Sequence, residues 1–212
     1  MQADFWIDKW ETRKIGFHLS DANPLLVKHL HHLNLEAGNR IFLPLCGKTM
    51  DIPWLMSQGF EVVGNELSLI AVEELFESMA VVPKITTNGK LNVYTSEGLT
   101  IYQGDFFEVS SELLGGIDAI FDRAALVALP NDMRLAYSNH LMDITNRAPQ
   151  LLVSFEYDQS KRPGPPFSVD ESMIMAHYSQ NYDIRSIERI EEETHLDNID
   201  TIVEQVWLLN PK

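Results

Sequence analysis

Only one cysteine, Cys46, occurs in the 212 residues, so no internal disulfide can form. Cations are also scarce. Sixteen Lys and Arg stand against 31 Asp and Glu, for a formal net charge of −15. A surface of that sign repels phosphate backbones and anionic lipid headgroups, so neither nucleic acid nor a membrane surface is an expected partner. No apolar run approaches the roughly 18 residues of a membrane-crossing helix. The start Met1-Gln2-Ala3-Asp4 lacks the basic-then-apolar pattern of a signal peptide. Internal repeats, low-complexity tracts and linkers are missing as well. A soluble, cytoplasmic monomer is expected. With 45% hydrophobic residues the chain suffices for one sizeable core and is short for two domains.

What is present is an alternation of short apolar runs with longer helical ones. Arg40–Leu45, Phe60–Gly64, Asp118–Phe121 and Leu151–Phe155 read as buried strands. Leu91–Thr95 and Thr100–Gln103 flank Ser96-Glu97-Gly98, as in a hairpin. Helices are expected over Pro24–Leu33, Met50–Gln58 and Asp170–Gln180, from Ser68 through Met79, and from a capping Asn131 to about Thr145. Strands alternating with helices imply a parallel sheet covered on both faces. At the tail, Asp183–Glu188 and Thr201–Leu208 follow one another with only an acidic turn between them, so they should pair antiparallel. Residues 1–20 carry Phe5, Trp6, Trp10 and Phe17, enough aromatic surface to fold over the open end of the sheet.

In such a sheet, ligands sit at the carboxyl ends of the strands. Leu45-Cys46-Gly47-Lys48 follows the first strand, and Gly47 lets the backbone approach a ligand closely. Glu66 follows the second strand, about 20 residues on, the spacing of a carboxylate that accepts ribose hydroxyl protons. Gly104-Asp105-Phe106-Phe107 follows a later strand, where a polar group and a ring could flank an adenine. Gly47-Lys48-Thr49 resembles the end of a phosphate-binding loop, but that loop needs a glycine where Phe42 stands. A nicotinamide site needs three glycines in its turn, and here there is one. A ribose without a phosphate to grip favours S-adenosylmethionine. A plain tight turn beside a solvated Glu66 remains the competing reading.

Six motifs in order, running almost end to end, resemble the thiopurine S-methyltransferase family in its bacterial form. They are Phe5-Trp6 to Trp10 with Gly16-Phe17-His18, Pro44-Leu45-Cys46-Gly47-Lys48, Gly64-Asn65-Glu66-Leu67-Ser68, Gly104-Asp105-Phe106-Phe107, Asp122-Arg123-Ala124-Ala125, and Glu156-Tyr157-Asp158 with Gly164-Pro165-Pro166-Phe167. The resemblance implies a Rossmann-like α/β fold: a doubly wound, mostly parallel seven-stranded sheet with an antiparallel C-terminal strand pair and helices on both faces. It implies one methyltransferase domain over residues 1–212, with residues 1–20 as a lid on the cofactor site. It implies S-adenosyl-L-methionine as cofactor and S-adenosyl-L-homocysteine as product. The implied cofactor contacts are Trp10, Leu45, Glu66 and Arg123, with Gly47, Trp6, Phe17, Asp105 and Phe106 as further neighbours. The implied acceptors are aromatic and heterocyclic thiols, including thiopurines. Inorganic selenium or tellurium, or another small thiol or halide, is the alternative, as is a binding protein without catalysis. One departure is Asn65, where the family commonly has Ala or Val. Another is the short and very acidic stretch after the proline loop, which puts substrate contacts there in question.

Each candidate has a rival role. Trp6 and Trp10 share a helix face, where they could meet the cationic sulfonium or simply dock the helix. Arg123 could hold the methionine carboxylate, steady a thiolate, or pair with Asp122 or Glu66. A thiol attacks as its thiolate, so a dedicated general base is optional, and no catalytic residue is expected beyond Arg123 as a positioning group. His18 could carry an acceptor proton, though a structural role is the simpler reading. Cys46 reads as a small buried residue. His29, His31 and His32 lack a nearby carboxylate in sequence, and no metal site is expected. Glu191-Glu192-Glu193 reads as a solvated turn. Gly164-Pro165-Pro166-Phe167 follows the fifth strand and begins with Gly. The motif of amino-group methyltransferases follows the fourth and begins with Asp or Asn, so a loop gating the acceptor pocket is the reading kept.

Overall fold

Successive strand residues point to opposite faces of a sheet, and here both faces are apolar. The computed structural model describes residues 3–193, 199 and 201–212. Its elements are α1 (Ala3–Glu11), α2 (Pro24–His29), β1 (Arg40–Leu43), α3 (Asp51–Ser57), β2 (Glu61–Glu66), α4 (Leu69–Ser78), β3 (Lys84–Asn88), β4 (Leu91–Ser96), β5 (Leu99–Gln103), α5 (Ser111–Leu114), β6 (Ala119–Arg123), α6 (Asn131–Ile144), β7 (Gln150–Glu156), α7 (Glu171–Tyr178), β8 (Tyr182–Glu193) and β9 (Thr201–Pro211). They build one sheet of order β3-β4-β5-β2-β1-β6-β7-β9-β8. The central five strands, β5 to β7, run parallel, and each edge ends in an antiparallel pair.

Alternation sorts the core. Phe42, Val63, Ile120, Leu152 and Trp207 pack with Tyr137, Leu141 and Tyr178 on one face. Ile41, Val62, Ile101, Phe121 and Leu208 pack with Leu26, Leu55, Val72 and Leu75 on the other. Side-chain caps start the helices that flank the crevice. Asn23 accepts from the N–H groups of Leu25 and Leu26 at 2.9 and 3.3 Å, with Pro24 in the first turn. Ser68 caps α4 through Ala71 N–H at 3.4 Å, and Asp170 caps α7 through Met173 N–H at 2.9 Å. Strand order reverses at β1, which has β2 on one side and β6 on the other. A crevice therefore opens at the carboxyl end of β1.

Several expectations need correcting. The sheet has nine strands rather than seven. Eight of the nine match segments read as strands from the sequence, one more than the resemblance implies; the ninth, β3, has only exposed residues and so carries no apolar alternation to read. Pro24–Leu33 is not one α-helix; it tightens into a 3-10 turn over Leu30–Leu33. Asn131 is the first residue of α6, and Pro130 holds the cap position without a side-chain donor or acceptor. Glu191 to Glu193 are strand residues of β8 paired to β9, not a turn. The acidic turn expected after them falls largely on residues 194–198 and 200, and Met1-Gln2 on residues 1–2, all outside the described residues.

Asp122, fully buried at the end of β6, locks that strand to α6. Tyr137 donates its hydroxyl to Oδ2 at 2.7 Å, and Leu126 its N–H to Oδ1 at 3.1 Å. Burial still pushes the carboxyl up from 3.8 to about 6. Between pH about 4 and 6 the folded chain thus holds a proton that the unfolded chain has released, so stability falls as pH rises through that window. A carboxyl moved from 3.8 to about 6 carries about 3 kcal/mol. The measurement is urea unfolding of wild type and Asp122→Asn at pH 4 and pH 6.5. Wild-type stability minus that of the variant should drop by about 2 kcal/mol across the range, because the unfolded carboxyl is already partly ionised at pH 4; a constant difference would show that Asp122 titrates normally.

Candidate functional site

The turns after β1, β2 and β5 meet at one residue, Glu66, whose side chain is 6% exposed. Gly47 donates its N–H to Oε2 and Ser68 its N–H to Oε1, both at 2.7 Å. The Glu66 carbonyl accepts from Gly104 N–H at 2.8 Å, and Cys46 N–H donates to the Asn65 carbonyl at 2.9 Å. The Asn65 amide donates to the carbonyls of Tyr102 and Gly104 at 2.9 and 3.2 Å. Burial pushes the Glu66 carboxyl up while the backbone donors pull it down. The backbone N–H of Leu67 adds to the pull of Ser68 and Gly47 on this carboxyl. Backbone strain collects here too. Leu45 and Ala124, neither of them glycine, take positive φ of 48° and 63° in the turns after β1 and β6.

The N-terminal segment lies over this cluster. Trp10 is 2% exposed, and its ring sits so close to Gly47 that a Cβ there would be 3.1 Å away. Phe17 meets Trp6 and Trp10 edge-on, each with ring centres 5.7 Å apart. Arg13 pairs with Glu74 of α4, which also holds Lys48 at 2.8 Å. Arg123 donates from NH1 to the Phe17 carbonyl at 2.8 Å. Its Nε is buried with no hydrogen-bond partner. Neither ion pair weighed for Arg123 forms among the described residues, since Asp122 is engaged with α6 and Glu66 with the turns. Asp51 lies within electrostatic reach of Arg123. It is itself held by Asn23 N–H at 2.6 Å and the Thr49 hydroxyl at 2.7 Å. Burial, then Lys48 and Arg123, hold His18 below its usual value. Arg123 and Lys48, the latter paired with Glu74, thus share the crevice with the Glu66 and Asp51 carboxyls.

Trp10, Phe17, Gly47, Glu66 and Arg123 are brought together by this chain of contacts, with Trp6 joined through Phe17 and Leu45 in the same turn as Gly47. Asp105 is exposed and caps a 3-10 turn through Phe107 N–H at 3.0 Å. Phe106 differs from expectation. Its ring is buried against Tyr137 and His140, at 5.0 and 5.1 Å, so it is spent on the core rather than presented to an adenine. The exposed ring is that of Phe107, 40% accessible. Burial, then Glu66, pushes the Cys46 thiol well up, which makes it a poor nucleophile. A carboxylate does join the histidines: Glu188 of β8 pairs with His29 and Lys28. No group able to hold a metal occurs among the described residues. Unforeseen participants are Asp51 and the Arg13–Glu74–Lys48 clamp. Their partners lie far off in sequence, so no local spacing announces them.

Glu66 thus presents a buried carboxylate and Arg123 a buried guanidinium whose Nε has no hydrogen-bond partner. The sequence model of the thiopurine S-methyltransferase family matches residues 1–212. The thiopurine S-methyltransferase of Xanthobacter autotrophicus is 50% identical over 210 residues, 99% of each chain. That of Teredinibacter turnerae is 47% identical over 99% of this chain and 98% of its own. Among solved structures, a SAM-dependent methyltransferase from Anabaena variabilis superposes with a TM-score of 0.67 at 15% identity, over 99% of this chain and 95% of its own. A Burkholderia thailandensis 1,6-didemethyltoxoflavin-N1-methyltransferase with bound S-adenosylhomocysteine gives 0.66 at 11% identity, over 99% and 87%. Those two likenesses concern the fold.

The close approach of Trp10 to Gly47 is testable by itself. Gly47→Ala must place a side chain at φ 56° and push against the indole, which should cost about 1–2 kcal/mol in urea unfolding. In a Trp10→Ala background the cost should fall to about 1 kcal/mol, the backbone part alone. An equal cost in both backgrounds would show that the ring yields freely.

Proposed function

The chain belongs to the thiopurine S-methyltransferase family, and from that premise we propose that the Glu66 crevice binds S-adenosylmethionine and methylates small aromatic or heterocyclic thiols. The observation that carries this is Glu66. Its buried carboxylate is fixed by the backbone N–H groups of Gly47 and Ser68, and carboxylate oxygens accept more than one hydrogen bond each, as a ribose diol needs. When bound, the cofactor supplies a methyl group on a sulfonium and leaves as S-adenosylhomocysteine. Glu66 holds the ribose. Arg123, whose Nε has no partner, holds the amino-acid carboxylate or steadies the anionic acceptor. Trp10 covers the crevice and offers an aromatic face to a cation. Asp105, exposed beside the third turn, borders the adenine end. Residues 1–20 act as a lid, clamped by Arg13, Lys48 and Glu74.

Arg123 and Lys48 make the crevice favourable for a thiolate. An acidic heteroaryl thiol is already partly ionised near neutral pH, so orientation and exclusion of water carry most of the rate. His18, kept below its usual value, is neutral near pH 7 and can take a proton from a less acidic thiol. A net charge of −15 makes copies repel one another, in keeping with a monomer.

Calorimetry with S-adenosylmethionine and S-adenosylhomocysteine should show binding of both, and Glu66→Ala should weaken each at least about tenfold, about 1.4 kcal/mol. Unchanged affinity would remove Glu66 as the ribose anchor, and no binding by wild type would end the reading. With 6-mercaptopurine, selenite and halide as acceptors, turnover of the thiol is expected; turnover of selenite alone would assign the acceptor to the heavier congeners.

A further inference from the structure

Arg134, in the first turns of α6, is 2% exposed. Desolvating a guanidinium is costly, and a carboxylate normally repays it. Among the described residues no carboxylate is paired with this one; the titratable groups within electrostatic reach of it are the Tyr157 phenol and the His177 imidazole. Its contacts join three separate segments. Nε donates to the Leu129 carbonyl at 2.9 Å, at the end of the turn that follows Arg123. NH1 lies 3.5 Å from the Met173 sulfur of α7. The guanidinium lies over the Phe167 ring, 5.5 Å from its centre.

Phe167 organises the loop between β7 and α7. Its N–H donates to the Val127 carbonyl at 2.7 Å, four residues past Arg123. Gly164 has room for no side chain, because a Cβ there would lie 2.5 Å from the Phe167 ring. Tyr157 closes the loop by donating its hydroxyl to the Pro166 carbonyl at 2.5 Å. The whole loop thus folds around one ring, and that ring rests on Arg134.

We propose that Arg134 is a positioning residue: through Phe167 it fixes the loop 158–168 against the turn after Arg123 and so sets the acceptor side of the active site. This rests on the proposed thiol methylation. A flat guanidinium can stack on the ring and still donate in its own plane to Leu129; a lysine ammonium cannot do both. A buried cation without a counterion contributes little net stability, so its loss should appear in substrate use more than in folding.

The test uses Arg134→Met, which keeps length and apolar volume, with Phe167→Leu as an independent variant. Three readouts are taken: amide hydrogen exchange over 158–168, S-adenosylhomocysteine affinity by calorimetry, and KM and kcat for a heteroaryl thiol. In both variants, exchange in the loop should quicken about tenfold and the thiol KM should rise at least fivefold, while S-adenosylhomocysteine affinity stays within twofold. Arg134→Lys should recover only part of the loss. Unchanged exchange, unchanged thiol KM, or an equal loss of cofactor affinity would each overturn the proposal. If wild type methylates no thiol, the proposed function fails. The exchange measurement, which needs no turnover, still decides whether Arg134 holds the loop.

Discussion

A carboxylate buried at the mouth of a sheet must find donors, and the rest of the crevice follows from how Glu66 finds them. A carboxylate taken out of water without compensation would simply protonate. Backbone N–H groups supply that compensation: Gly47 from the turn after β1, and Leu67 and Ser68 ahead of α4. For Gly47 to donate, the turn must bring its amide inward, which it does with a φ of 56°. A residue without a side chain at that point lets Trp10 descend onto the backbone. The N-terminal segment, the turn and the Glu66 carboxyl are thus one arrangement. Alter the carboxylate and the turn loses its reason to be bent.

Charge within the crevice is mixed, although the protein's total is acidic. The chain as a whole carries −15, yet Arg123 and Lys48 converge on the crevice, and Arg134 supports its outer loop. The acidic groups near Arg123 are already engaged: Asp51 by Asn23 and Thr49, Asp122 by Tyr137 and Leu126. Buried guanidinium groups with so little local compensation favour an anion arriving with the ligand. An amino-acid carboxylate and a thiolate are both of that kind. The acidic exterior meanwhile repels large polyanions.

The sequence made the central sheet legible because its strands are buried on both faces and its helices are capped by Asn23, Ser68 and Asp170. Glu66 and Gly47 were legible because strand ends and their spacing carry the signal. β3 was hidden because a strand exposed on every residue has no pattern to show. Phe106 was misjudged because a motif fixes the order of two phenylalanines but not which ring faces the core. Glu188 beside His29, and Arg134 beneath Phe167, join residues 159 and 33 positions apart (188 − 29 and 167 − 134). No local window contains such pairs; they exist only once the sheet has brought its edges together.

Strain gives the last step. Leu45 and Ala124 hold left-handed conformations in the turns after β1 and β6, the strands between which the sheet order reverses. For residues with a Cβ this costs on the order of 1 kcal/mol each. Glycine would avoid the cost, but a more pliable turn would let the Gly47 amide and the Arg123 guanidinium wander from Glu66 and Phe17. Leu45 instead packs its side chain on the core, and Ala125, next to Ala124, is fully buried. The burial that offsets the strain also fixes both turns. The crevice is thus set by the folding of the sheet beneath it.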